Sequence, residues 1–302
     1  MMFKPSVPSV MAVSDPSVTE RTSSPRALPT FANVLCAVDG GRSSRAAIHQ
    51  AVCLCEPGAK LRFVSVHHEV GSRHSARADL SEMHARAVLD EAVAIARGGE
   101  VEPSVSLLRG VEASDLLLTE AAGHDLLVAG CRGCSRPGGL TLGRTATQLA
   151  QHAEVPLLIA RRTVDADNFP QSVLLATDGS DGSLAPARVA TRLAKARGSA
   201  LRLVYVPDGR RAERYREVLK QRALIELVTG SSPKIAEDSG HVADRICDEA
   251  RGYRASMIAI GRRGLGGAKA LGSVSERVLH RAQCSVLVAL PQETESKSRS
   301  AA

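Results

Sequence analysis

A parallel α/β sheet, built twice, is the fold this sequence predicts. Three observations carry that reading. Short, wholly apolar runs alternate with amphipathic segments, as strands buried on both faces alternate with the helices that cover them. The opening runs are stopped by a glycine-containing turn, and an amphipathic, helix-like segment follows each. Finally, the order of these signals occurs twice along the 302 residues, a length that suits two domains.

The first copy opens with Val34-Leu35-Cys36-Ala37-Val38, stopped by Asp39-Gly40-Gly41-Arg42-Ser43-Ser44. The second opens with Val173-Leu174-Leu175-Ala176-Thr177, stopped by Asp178-Gly179-Ser180-Asp181-Gly182-Ser183. A helix follows each, carrying Ile48, Ala51, Val52 and Cys55 in one copy and Val189, Leu193 and Ala196 in the other. Second strands are predicted at Leu61–Val66 and Leu201–Val206. Long helices come next, with Leu89, Val93 and Ala96 on one face in copy one and a weaker stripe of Val218, Arg222 and Ile225 in copy two. Third strands fall at Ser104–Leu108 and Lys234–Glu237, third helices at Ala113–Ala122 and His241–Ala250, and fourth strands at Asp125–Ala129 and Ser256–Ile260. A glycine-rich loop, a helix (Thr145–Gln151; Val274–His280) and a last strand (Pro156–Ala160; Ser285–Leu290) close each copy. Such sheets take right-handed crossovers and hold ligands at the carboxyl ends of their strands.

The domain boundaries follow. Residues 1–30, rich in Pro, Ser and Thr, read as a disordered tail, and 292–302 as a flexible one. The domains span 31–162 and 171–291, with a linker at 163–170 that contains Asp165-Ala166-Asp167-Asn168.

Composition narrows the function. Aromatics make up 2% with no Trp, which argues against a stacking platform for single-stranded nucleic acid. The net charge of +7 is scattered along the chain, so a solvated surface is expected rather than a nucleic-acid patch. No apolar run approaches the roughly 18 residues that cross a bilayer, and no signal peptide is legible, so no membrane partner and a cytoplasmic location are expected. Seven cysteines without regular spacing fit a reducing compartment.

The segments after the fourth strands carry the chemistry. Copy two reads Gly261-Arg262-Arg263-Gly264-Leu265-Gly266-Gly267-Ala268-Lys269-Ala270-Leu271-Gly272-Ser273-Val274-Ser275-Glu276. Glycines let a backbone approach a ligand closely, and a helix entered through Gly-Ser presents its first amides to an anion. Ser273 and Ser275 can donate to phosphate oxygens. Equally, Ser273 can be an N-cap, with Glu276 completing a capping box. From the residues alone the two readings stand level.

Together with the strand-Asp openings, this segment resembles the universal stress protein family, whose nucleotide-binding members carry Gly-x-x-Gly, nine residues, then Gly-Ser or Gly-Thr. The resemblance covers both copies. It implies two tandem flavodoxin-like (Rossmann-like) domains, each a five-stranded parallel sheet flanked by helices. It also implies binding of ATP or another adenine nucleotide, with or without Mg²⁺, in a stress response and without dedicated catalysis. In copy two it places Asp178 and Val206 at the adenosine, Gly261 and Gly264 at the loop crossing the phosphates, and Gly272, Ser273 and Ser275 at the phosphate tail. In copy one the matching residues are Asp39, Val66, Gly130, Gly133 and Gly143. It further implies that the two domains pair through their last strands, and that a homodimer is a natural next level of assembly.

Both copies depart from the pattern. Seven residues separate Gly264 from Gly272, two fewer than in the family, whereas the nine between Gly133 and Gly143 are intact. However, copy one has Arg144 where Ser or Thr is expected, and Ala146 in place of the second hydroxyl. Arg144 is read as a surface arginine on a degenerate copy, and copy two as the better site. The alternatives are an interaction module with degenerate sites, or a slow ATPase.

Other constellations read blandly. Cys131-Arg132-Gly133-Cys134 lacks the further ligands of a zinc site and the context of a redox motif, although Cys36 is expected on a neighbouring strand. Cys53 and Cys55 read as small core residues of the first helix. His67, His68 and His74 are expected in an exposed loop, and His241 and His280 at helix surfaces or ends. No nucleophile elbow and no Walker A sequence occurs. ATP pyrophosphatases cradle pyrophosphate just after their first strand. Here Asp39 and Asp178 hold that place, and a carboxylate there repels phosphate.

Overall fold

In the computed structural model, residues 31–68, 75–132, 142–161, 168–207, 211–237, 241–262 and 271–290 are described. Domain one runs β1 (Phe31–Ala37), α1 (Arg42–Leu54), β2 (Cys55–His68), α2 (Ser75–Ala96), β3 (Val101–Gly110), α3 (Ala113–Ala121), β4 (Leu126–Gly130), α4 (Arg144–His152) and β5 (Leu157–Ala160). Domain two repeats the order. It runs β6 (Ser172–Ala176), a 3₁₀ turn (Asp181–Ser183), α5 (Leu184–Arg197), β7 (Ala200–Tyr205), α6 (Arg211–Thr229), β8 (Lys234–Glu237), α7 (Val242–Gly252), β9 (Met257–Gly261), α8 (Ser273–Arg281) and β10 (Ser285–Ala289).

All ten strands lie in one sheet, in the order β3-β2-β1-β4-β5-β10-β9-β6-β7-β8. Each half is parallel and doubly wound in the 3-2-1-4-5 order, so the chain reverses direction across the sheet between β1 and β4, and again between β6 and β9. Ligands of such sheets bind at these reversals. The halves meet where β5 runs antiparallel to β10, with Val286 opposite Ile159, Leu287 opposite Leu158 and Val288 opposite Leu157. The expected pairing of last strands is therefore made within one chain.

Alternation along the strands feeds two apolar layers, one on each face. Val34, Cys36, Val173 and Leu175 point into the layer under α1, α2, α5 and α6. Leu35, Leu127, Leu174 and Val286 point into the layer under α3, α4, α7 and α8. Both layers run continuously through both domains. Phe169, placed by composition in the linker, is fully buried in the first layer.

Two expectations for domain one are corrected. Helix α1 ends at Leu54, so Cys55 opens β2 rather than closing the helix. Pro57 and Gly58 follow directly, and Gly58 sits at φ +78, which no helix continues through. His67 and His68 are strand residues, not loop residues: β2 pairs with β3 through His67↔Arg109 and His68↔Gly110. His67 is buried. His74 lies outside the described residues.

Candidate functional site in domain two

The site is built around the reversal between β6 and β9. Strand β6 delivers Ala176, Thr177 and Asp178 to its carboxyl end. Asp178 turns the chain: its Oδ1 accepts from the amide of Ser180 at 2.9 Å and from the Ser180 hydroxyl at 2.5 Å. Gly179 between them adopts φ +71 and lies directly against α6, where an added Cβ would meet the Arg214 carbonyl oxygen at 2.7 Å. Only glycine combines that backbone conformation with that approach.

A buried chain of hydrogen bonds fixes this turn from beneath. The amide of Gly179 donates to Thr177 Oγ1 (3.2 Å), which donates to Gln221 Oε1 (2.7 Å). Gln221 Nε2 donates to Ser183 Oγ (2.8 Å), whose proton goes to the Ser180 carbonyl (2.6 Å). Thr177, Ser183 and Gln221 are all buried, and the chain satisfies each of them while tying β6, α5 and α6 together.

Beside the turn lies a cavity of about 100 Å³, lined by residues that include Asp178, Val204, Val206, Ile260, Val274 and Ser275. Its walls are aliphatic, supplied by the ends of β7 and β9 and by the first turns of α7 and α8. For scale, a cavity of about 150 Å³ holds a benzene ring. This space is smaller, so it takes one edge of a flat ring system, with the rest of the ring and any attached groups lying outside it.

Helix α8 faces the same space. Its N-cap is Gly272 (φ −70, ψ 147), and no side chain caps it. This overturns the capping-box alternative: Ser273 sits one position inside the helix, exposed, and caps nothing. The first-turn amides of Ser273, Val274 and Ser275 are left for an external acceptor. Ser275 plays a different part from the one expected. It is buried and donates its hydroxyl proton to the Gly261 carbonyl at 2.7 Å, so it pins α8 to β9. Its oxygen can still accept. Gly264 lies outside the described residues.

Domain one places its matching residues differently. Asp39 makes the same turn, accepting from the Gly41 amide at 2.9 Å, while its own amide donates to Ser44 Oγ at 3.1 Å. Gly40, like Gly179, takes a left-handed φ of +79. No 3₁₀ turn intervenes, and α1 begins at Arg42. Its start closes onto the end of β4: Ser43 Oγ donates to the Arg132 carbonyl at 2.5 Å and accepts from the Arg132 amide at 3.2 Å. A Cβ on Gly130 would meet Ser43 Oγ at 2.7 Å and the Ser44 amide nitrogen at 3.0 Å. Glycine at 130 thus serves close packing of α1 on β4. Val66 packs partly buried on the second apolar layer, Gly143 caps α4, and Gly133 is outside the described residues. Ala146, where domain two has Ser275, is buried and offers no hydroxyl.

Arg144 is on the surface. Its guanidinium pairs with Glu112 at 3.0 Å, with 80% of its side chain exposed. Such a pair is worth about 1 kcal/mol or less. Arg144→Ala is therefore expected to change the urea midpoint little and to leave ligand binding by the chain unaltered in a titration.

Sequence reading missed Thr177, Ser183 and Gln221, as well as the cavity wall of Val242, Ile246 and Ile260. Two signals were available. A serine stands five residues after the aspartate in both copies (Ser44, Ser183), and Val242 and Ile246 share one face at the start of α7. Gln221 carried none.

Paired doubly wound domains with a small cavity at a strand-order reversal define a class: α/β proteins that hold a small ligand on the carboxyl edge of the sheet. The universal stress protein family matches the chain twice, over residues 30–161 and 170–289, and the chain belongs to that family. A universal stress protein of Thermus aquaticus is 36% identical over 133 residues, covering 39% of this chain and 97% of the relative. Among solved structures, one from an Archaeoglobus fulgidus universal stress protein superposes with a TM-score of 0.71 at 19% identity, covering 85% of this chain and 97% of that one. A second, described as a putative universal stress protein of Pseudomonas aeruginosa, gives 0.59 at 17% identity over 86% of this chain and 93% of its own. At these identities the superpositions speak for the fold.

Proposed function

We propose that domain two binds one adenine nucleotide per chain, ATP or a relative of it, with or without Mg²⁺, and that the protein acts in a cytoplasmic stress response as a binding protein. The observation that carries this is the aliphatic cavity set between a carboxylate and an uncapped helix N-terminus. Val204, Val206 and Ile260 offer flat apolar contact to a base. Asp178 can accept from a ribose hydroxyl, and its charge keeps phosphates away from its own end. The phosphates then lie toward α8, where free amides and the helix dipole favour them.

Among the described residues lining the cavity, Asp178 is the one ionisable side chain. A lone carboxylate supplies neither an activated nucleophile nor an acid–base pair, which supports binding over turnover. Domain one, with its first turn packed on β4, serves in this reading as the structural partner that completes the sheet.

Val206→Trp fills the cavity and is expected to weaken ATP·Mg²⁺ binding by about 100-fold or more in calorimetric titration. Val66→Trp, at the matching place in domain one, is expected to leave the affinity within about twofold. If Val66→Trp abolishes binding and Val206→Trp does not, the site has been assigned to the wrong domain.

A further inference from the structure

At the seam between the domains lies a row of side chains that nucleotide binding does not use. Strand β4 pairs with β5 through Gly130↔Ala160, and the Cys131 amide donates to the Ala160 carbonyl at 3.1 Å. Strand β5 pairs with β10 through Ile159↔Val286. Continued by one residue between β4 and β5 and by two between β5 and β10, these registers bring Cys131, Arg161 and Cys284 side by side on one face. It is the face of Ala129, Ile159 and Val286, which α3, α4, α7 and α8 cover.

Arg161 is buried, 5% exposed. One arm of its guanidinium, Nη2, donates to the Leu279 carbonyl in the last turn of α8. The other nitrogen, Nη1, is buried and has no hydrogen-bond partner among the described residues. A buried donor on a cation left open in this way asks for an acceptor. Burial pulls the Arg161 guanidinium down, and the field of Cys131 is the largest influence opposing it, followed by that of Cys284. Arg132 adds a second positive charge nearby.

Two distances decide what this row can do. Neighbouring strands are about 4.8 Å apart, so Cys131 and Cys284 stand about 10 Å apart across Arg161, beyond the reach of a disulfide. Each thiol instead neighbours the guanidinium. Cys284 and Cys247, which also faces this space, are held as thiols: burial pushes them up to about 12 and about 11. Cys131 is half-buried and directly follows β4.

We propose that Cys131 is an oxidation site for peroxide, and that Arg161 Nη1 receives the sulfenate it forms. The Cys131 sulfur attacks one peroxide oxygen; an S–O bond forms and the O–O bond breaks. Sulfur loses two electrons and the peroxide gains them. The departing hydroxide takes up the proton released by the thiol and leaves as water, and the sulfenic acid left on sulfur gives its own proton to solvent to become the sulfenate. The new oxygen on sulfur is an anionic acceptor placed beside a buried N–H that has no partner among the described residues, and it is a stronger partner than the thiol it replaces. Because Arg161 also holds the α8 C-terminus, oxidation at domain one reports directly to the helix whose other end faces the cavity of domain two. The proposal stands independently of the nucleotide reading.

The test uses the full chain, brief exposure to substoichiometric hydrogen peroxide, trapping with dimedone, and peptide mapping by mass spectrometry. Cys131 is expected to label at least about tenfold faster than Cys284 or Cys247. Arg161→Lys, checked by its thermal melt, is expected to slow labelling of Cys131 several-fold and leave cysteines remote from it, such as Cys36 and Cys53, unchanged. Labelling that starts at any other cysteine, or a Cys131 rate indifferent to Arg161→Lys, overturns the proposal. Should Arg161→Lys fail to fold, the order of labelling in the wild-type chain decides it.

Discussion

Replacing Gly179 with alanine is expected to lower stability by about 2–4 kcal/mol and to weaken nucleotide binding at least about tenfold. Two terms add here. The φ of +71 puts any Cβ in the left-handed region, which costs roughly 1–2 kcal/mol. The new methyl also meets the Arg214 carbonyl oxygen at 2.7 Å, and because that atom belongs to the backbone of α6 it cannot swing aside. Either the helix or the turn must shift. The turn carries Asp178 on one side and the Thr177–Gln221–Ser183 chain beneath it, so the cavity wall moves with it. Gly198→Ala is the control: φ there is +67, yet nothing lies within 4 Å of the added Cβ. It should cost about 1 kcal/mol and leave binding intact. Equal losses from the two variants in urea denaturation would show that the contact with α6 contributes nothing.

Ser285→Val, which removes the hydroxyl and adds a methyl group's bulk, is expected to cost about 2–5 kcal/mol. Ser285 is fully buried at the seam. Its oxygen accepts from the Arg161 amide at 2.9 Å, and its proton goes to Gln50 Oε1 at 2.8 Å. Gln50, on α1 of domain one, also donates to the Arg161 carbonyl at 2.7 Å. Valine leaves the Arg161 amide and Gln50 Oε1 buried without these partners, at about 1–3 kcal/mol each. Gln50→Leu removes the same cluster from the other side, so the double variant should cost less than the sum of the two single ones. Because both apolar layers run through both domains, the chain should unfold in one transition, which Ser285→Val shifts to lower urea. Two separate transitions in the wild-type chain would mean that the seam does not couple the domains.

The architecture was legible because the repeat was. Apolar runs, turns and helical stripes recur in the same order, and each predicted strand falls on an observed one. What the sequence hid has identifiable physical causes. Cys55 continued the helical stripe of Ile48 and Ala51, and only the Pro57-Gly58 that follows shows that the helix must already have ended. His67 reads as polar loop, but β3 runs alongside β2 as far as Gly110 and buries it. In the site, Asp178, Val206, Gly261, Gly272 and Ser275 come together as the motif implies. Their roles do not all follow it. Ser275 spends its proton on Gly261, and Gly272 rather than Ser273 caps α8. Gln221 could not be found from sequence, since a glutamine on the inner face of a long helix looks like any interrupted apolar stripe. The asymmetry of the two sites was half visible: Arg144 and Ala146 announced it. The closing of Ser43 onto Arg132 did not, because it depends on where α1 begins relative to β4.

The central claim is one nucleotide per chain, held in domain two. It is tested most directly by calorimetric titration of the nucleotide-free chain with ATP and Mg²⁺, read for stoichiometry. A ratio of one, lost in Val206→Trp, is the predicted result. A ratio of two would mean that domain one also binds despite its closed turn, and no heat with ATP, AMP or cyclic AMP would contradict the adenine-nucleotide reading altogether.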